Sequence, residues 1–329
     1  MITAISRLPT SPPAPAGDHA RTPKRPSEPP LTPDSPMIAL AYRCLSRDFD
    51  TLLARQPHPG STPAPEDVHQ IRIATRRMRV ALRLFGALLP QRAAHLGKEL
   101  RWFARALGSV RDLDVHDDAL REHLQSAGVA AARDLGGYEL ALRRERLGAR
   151  EALHRVFAGE RYAALIEDLG ALLEGAPSPA ALRRWRSFTI RAGAARYLKK
   201  SRKRVVKLGR KLGPDTSADD LHRLRIRAKR LRYALEFFSE PYPELVPAAK
   251  ATKSLQDVLG AHQDARTARR RLLAYARSLK KRDADAEPPQ ALVEWRRTQH
   301  REAELARRSL AAEWQHLVAA LDRTDVLAR

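Results

Sequence analysis

The stretch VHQIRIATRRMRVALRLF, residues 68–85, returns without a gap as LHRLRIRAKRLRYALEFF, residues 221–238, at an offset of 153. His69 falls on His222, Arg72 on Arg225, Arg76 on Lys229, Arg77 on Arg230 and Arg79 on Arg232. Downstream, LGSVRD (107–112) matches LGAHQD (259–264) at an offset of 152, and Arg143-Arg144 matches Arg296-Arg297 at 153 again. Three matches in the same order argue for duplication of a unit of four helices. Solenoid repeats are far shorter, so the long period predicts two similar bundles joined near 175–180.

Around the repeat the pattern is helical throughout. Ala, Leu and Arg dominate and aromatics make up only 5%; such residues lose little side-chain freedom in a helix. Clusters of Pro and Gly mark loops at 57–67, 175–180, 212–220, 240–247 and 286–289. Between them the periodicity predicts helices over 37–55, 66–89, 92–125, 130–158, 160–174, 180–211, 219–239, 248–281 and 290–321. No run of alternating residues predicts a strand. The expected fold is all-α. Residues 1–36, with ten prolines, read as a disordered or polyproline-like tail. Residues 37–174 form the first half and 175–322 the second.

Helix 66–89 carries the pattern that bears on function. At 3.6 residues per turn, His69, Arg72, Arg76, Arg79 and Arg83 fall on one stripe about 21 Å long. Ile71, Met78, Leu82, Phe85 and Leu89 line a second face, and Ile73, Val80 and Leu84 a third. An ordinary solvated face mixes acids with bases at i,i+4, because opposite charges stabilise there. No Asp or Glu stands between Val68 and Lys98, and none from Leu221 to Leu235. Each like-charged pair at that spacing costs roughly 0.2–0.5 kcal/mol. Two copies of a costly pattern predict an anion that the chain itself does not supply.

The total charge agrees. The chain carries 61 Lys+Arg against 38 Asp+Glu, a formal net charge of +23. Segment 180–211 alone holds thirteen Lys or Arg, among them Arg196, Lys199 and Lys200, and Gly175–Pro214 contains no acid. No helix-turn-helix or zinc-finger signature stands out. Single-stranded nucleic acid is held by aromatics stacking on bases, and no aromatic ladder runs among these arginines. A base-free polyanion fits better, since the guanidinium fork engages two phosphate oxygens at once. An RNA- or DNA-binding protein is the alternative reading.

These motifs, with LRWFARALGSVRDLDV and LQDVLGAHQD, resemble the CHAD family of histidine-containing α-helical domains over about residues 37–320. The resemblance implies two four-helix bundles related by a pseudo-twofold axis around a basic central groove or pore. It also implies binding of inorganic polyphosphate, often on polyphosphate granules. Carried over by position, the implied contacts are His69, Arg72, Arg76 and Arg79, then His222, Arg225, Lys229 and Arg232. Arg101, Arg105, Lys250 and Lys253 are plausible additions on the following helix of each half. Some CHAD proteins also carry a CYTH triphosphatase domain, whose E-x-E-x-K signature is absent here. The expectation is a binding protein with no catalytic residue and no cofactor; a metal-dependent polyphosphate hydrolase, or an accessory to one, is the remaining alternative.

Other signals are weaker. Asp112, Asp114, His116, Asp117 and Asp118 are the only dense acid–imidazole cluster, but their spacing spreads them around a helix. They complete no zinc or hydrolase pattern, and Asp112 and Asp264 read better as partners of arginines. No metal ligand is therefore nominated. His69 and His222, heading the stripes, should hold phosphate more tightly at lower pH, when both ring nitrogens donate. The single Cys44, the absence of a long apolar run and the polar start predict a cytoplasmic protein without a membrane span. The number of subunits is not legible in the pattern.

Overall fold

The computed structural model describes residues 29–58, 60–213 and 215–324. Among these residues it forms nine α-helices and no strand: α1 Met37–Arg55, α2 Pro65–Phe85, α3 Ala93–Phe157, α4 Glu160–Leu173, α5 Pro179–Arg184, α6 Ile190–Gly209, α7 Ala218–Phe238, α8 Val246–Arg282 and α9 Gln290–Asp322. The starts of α6, α7 and α8 each lie 153 residues after those of α1, α2 and α3. The offset found in the motifs therefore also spaces the helices.

The repeated helices begin alike. α2 opens on Pro65 with Glu66 and Asp67 in its first turn; α7 opens with Asp219 and Asp220. Acids there meet the positive end of the helix dipole. Ser217 additionally caps α7 by accepting from the amide of Asp220 at 3.1 Å. Val68, Ile71, Met78, Leu82 and Phe85 on α2 are buried, as are Leu221, Leu224, Leu231, Leu235 and Phe238 on α7. Spacings of three and four make this the core face.

The main core crosses the boundary at 175 instead of dividing there. Phe85 packs with its ring centroid 6.2 Å from each of Tyr197, Phe237 and Phe238, so one ring of the first half is set among three of the second. A second, smaller core lies where both arms of α3 meet α8 and α9, around Leu120, Leu135, Tyr138, Leu272, Leu292 and Trp295. α3 reaches it through a break at Gly128 (φ +84°, ψ −177°), a conformation that favours a residue without Cβ. The break divides α3 into the two helical stretches expected over 92–125 and 130–158.

Two expectations need correction. The helix expected over 180–211 is interrupted at 185–189, between α5 and α6. There residues 33–37 lie against the start of α6: Ile190 and Arg191 donate their amides to the carbonyls of Ser35 (2.9 Å) and Pro33 (2.7 Å), and Met37 donates to Phe188 (2.9 Å). Amides that a continuous helix would satisfy internally are satisfied by another segment. The tail boundary expected at residue 36 consequently falls too late. Leu31 is buried and donates its amide to Glu240 at 2.9 Å, and Asp34 accepts from Arg191. The rest of the expected tail, 1–28, lies outside the described residues.

Candidate functional site

α2 and α7 pack against each other, and beside the apolar contact of Phe85 with Phe237 and Phe238 the side chains that meet between them include four cations. Arg72 and Arg76 from α2 act on Arg225 and Lys229 from α7. Burial, then the charges of Arg225, Arg76 and Arg72, bring the Lys229 ammonium down to about 7 against the pull of Asp264. Burial and the neighbouring Arg76, Arg225 and Arg111 bring Arg72 to about 10, against Asp112. Arg76 is lowered first by burial and then by Arg225. Cations that depress one another so far are short of negative charge.

Two carboxylates, one per half, border the line along which these cations meet, here termed the channel. Arg72 donates from Nη2 to Oδ1 of Asp112 at 3.3 Å. Asp264 lies among Arg225, Lys229, Asp112 and Arg72; burial outweighs the cations and raises its pKa. Four bases facing two acids leave the channel positive. The Nε atoms of Arg72 and Arg225, which are equivalent in the repeat, are buried without a hydrogen-bond partner, as is Nδ1 of His69. Unpaired buried donors are expensive, and an anion in the channel would meet them. His69 is held below the usual histidine range by burial and then by Arg111, against Glu66.

The stripe expected to run straight from His69 to Arg83 serves two places. Beyond Arg76 it leaves the channel: Arg79 is lowered first by burial, then by Arg101, Arg83, Arg76 and Arg105. Here α3 contributes Arg101 and Arg105, both exposed. Arg83 and Arg79 also act on Arg230, together with Arg227 and Arg204, and with burial as the leading cause Arg230 falls to about 10. Arg204, Arg227 and Arg230 were not nominated from the sequence. The clue was the counterpart of Arg83 in the second repeat, which is Glu236.

Glu236 also changes the second row. It stands one residue beyond the acid-free window and accepts from Arg232 one helical turn earlier, at 3.0 Å, while Arg232 also lies over the Tyr233 ring. Arg232 is thus neutralised within its own helix. Lys250 and Lys253 line a surface cavity of about 390 Å³ with Arg47, Arg77 and Glu236, and Lys253 pairs with Asp257 at 2.6 Å. His222, Arg196, Lys199 and Lys200 are exposed, and none of them is among the charges acting most strongly on the channel bases.

The acid–imidazole cluster disperses as its spacing predicts. Asp114 accepts from Arg146 and Arg150, Asp117 from Arg146 and Arg121, and His116 bonds the Tyr138 hydroxyl at 2.5 Å. Among the described residues no three His, Cys, Asp or Glu side chains are grouped to hold a metal ion. No described helix is long and apolar enough to cross a membrane.

This geometry can be set beside known proteins. The family model of the CHAD domain matches residues 43–273, a span holding both repeat motifs and every channel residue named above. The chain belongs to the CHAD domain family. Two uncharacterized Mycobacterium tuberculosis proteins, from strains CDC 1551 and H37Rv, are each 29% identical over 258 residues, covering 76% of this chain. The chain spans about half the length of these curated relatives, 48% of each. Among solved structures, the CHAD domain from the plant Ricinus communis superposes with a TM-score of 0.64 at 24% identity, over 87% of this chain and 94% of that one. PptA from Streptomyces chartreusis also gives 0.64, at 21% identity, over 85% and 100%. At these identities the likeness is one of fold. In this chain the two motif helices lie side by side and carry the four channel bases.

Proposed function

We propose that this CHAD protein binds inorganic polyphosphate in the channel between α2 and α7, without hydrolysing it. One observation carries the reading: Arg72 and Arg76 meet their repeat equivalents Arg225 and Lys229 in a partly buried site, where burial first and the neighbouring cations second lower the pKa of three of the four bases. A linear chain of phosphates offers charge at regular intervals and relieves that repulsion along the channel. Family membership supports the reading, because CHAD domains are linked with polyphosphate. The aromatics support it too. Tyr233, Phe237 and Phe238 are buried in the core, where they cannot stack on bases as single-stranded nucleic acid requires. In a cell such a protein would sit in the cytoplasm on polyphosphate granules.

The test is capture on immobilised long-chain polyphosphate with RNA as competitor. Polyphosphate should displace labelled RNA at far lower charge equivalents than the reverse. Arg72→Glu, Arg76→Glu, Arg225→Glu and Lys229→Glu together should weaken capture at least a hundredfold with helical content unchanged. Undiminished capture by that variant would place the ligand elsewhere. RNA winning the competition would favour a nucleic-acid protein, and sustained phosphate release with Mg²⁺ or Mn²⁺ would make it an enzyme.

A further inference from the structure

The repeat brings α2 and α7 together, yet their surroundings differ. In the first half, Arg77 is enclosed by acids: Asp48 on α1 and Glu236 on α7 both accept from it. Its equivalent, Arg230, has no such carboxylate partner among the described residues. Position for position, Ser201 stands where the other half has Asp48, and Arg83 where it has Glu236. Arg204 stands opposite Thr51 and Arg227 opposite Ala74. All four differences run in one direction, amounting to five units of positive charge at one of two equivalent places.

Arg83 and Arg204 are exposed, but Arg79 and Arg230 are partly buried, and there the concentration of charge is unfavourable unless something offsets it. Arg227 and Arg230 stand three residues apart on α7, and Arg79 and Arg83 four apart on α2, spacings at which like charges repel. The charges acting most strongly on Arg230 are all arginines, and burial already works against its charge. At the equivalent place the same problem is answered from within the chain by two carboxylates.

We propose that Arg79, Arg83, Arg204, Arg227 and Arg230 form a second anion site, separate from the channel, that holds a short run of condensed inorganic phosphate, and that Asp48 and Glu236 close the equivalent place to anions. The ligand class rests on the polyphosphate reading above. A guanidinium cluster contributed by three helices suits three or four adjacent phosphates, which present oxygens in several directions. The bound polymer is then gripped unevenly, at the channel and at one flank only.

The test uses tripolyphosphate and the full chain in isothermal titration. With the channel disabled by Arg72→Ala and Arg225→Ala, one tripolyphosphate site should remain. Adding Arg83→Glu, which supplies the acid present at the equivalent place, should weaken it at least tenfold. Arg204→Thr with Arg227→Ala, two changes to the neutral residues of the other half, should do the same should the first variant fold poorly. Unchanged affinity in a folded variant, or no tripolyphosphate site once the channel is disabled, would overturn the second site. Long-chain polyphosphate binding by the unaltered chain decides the channel reading separately: if long chains bind and tripolyphosphate does not, only the second site fails.

Discussion

Arg77 donates from Nε to Oδ1 of Asp48 at 2.8 Å, with both side chains almost wholly buried. Burial pushes the Asp48 carboxyl up to about 6 in spite of the cation. Burial also opposes the charge of Arg77, but Asp48 and Glu236 outweigh it and raise the guanidinium. The arginine lies 5.0 Å from the centroid of the Phe237 ring, so the ion pair is set against the apolar core.

Arg77→Ala should therefore cost about 3–5 kcal/mol, the usual penalty for leaving one partner of a buried ion pair unpaired. Arg230→Ala, at the equivalent position, removes a cation on which the strongest acting charges are all arginines and should change stability by no more than about 0.5 kcal/mol, or raise it. Urea denaturation of the two variants compares them directly. Equal losses would mean that the acids around Arg77 do not distinguish the two positions.

Lys229 should make polyphosphate binding pH-dependent. Its ammonium titrates near 7 in the free chain, faced by Arg225, Arg76, Arg72 and Asp264. Phosphate oxygens would restore the charged form and raise that value. Between the free and bound values, binding takes up a proton, so affinity should fall as pH rises from 7 toward 10. In Lys229→Met the fall should be shallower and affinity at pH 7 lower. Titration at fixed salt in buffers of different ionisation enthalpy counts the protons; no uptake at pH 8 would contradict this.

The same lysine affects stability in the opposite direction. Because its folded value lies below the unfolded 10.5, the unfolded chain holds more protons between about 7 and 10.5, and its contribution to stability rises with pH across that window. Without ligand, Lys229→Met should be more stable than the parent at pH 7, and the difference should shrink by pH 10. Thermal melts at the two pH values would show it.

His116 should matter at acid pH. It is buried, bonded to Tyr138 and stacked on Trp295, with ring centroids 5.5 Å apart. Burial, and then Arg271, hold its pKa down to about 4. The unfolded chain binds more protons between 4 and 6.5, so this contribution is complete above 6.5 and is lost as pH falls toward 4. The stability gap between the parent and His116→Gln should narrow over that range. A gap independent of pH would show that the imidazole is not held neutral.

Gly128→Ala should destabilise by about 1–3 kcal/mol, because the break in α3 needs a positive φ that a residue with Cβ adopts only under strain. Nothing crowds the position where the Cβ would be placed, so the loss would measure backbone strain alone. Differential scanning calorimetry provides the number.

Much of this was legible in advance. The gap-free alignment of 68–85 on 221–238 led to two helices with like faces, and the helix starts keep its offset. Arg72, Arg76, Arg225 and Lys229 were chosen from spacing and lack of acids, and they do meet. The division of the first stripe was not legible, because the wheel describes one helix and cannot say which neighbour each turn of it faces. The pairing of Arg232 was not legible either, since the acid-free window ended just before its partner Glu236. The interruption of 180–211 could not be foreseen either: the partner of those amides comes from 33–37, a Pro-rich segment with no periodic signal.

Helix content, the doubling of the motif and the excess of cations over acids were determined by the sequence alone, because each depends on neighbours within a few residues or on a count. Which cations stay exposed to an anion was decided only by tertiary structure. Arg77 and Arg230 occupy matching places in matching helices, but Asp48 reaches Arg77 from 29 residues away and Glu236 from 159. Charges interact through space in proportion to proximity, and only packing brings residues so distant along the chain to within hydrogen-bonding reach.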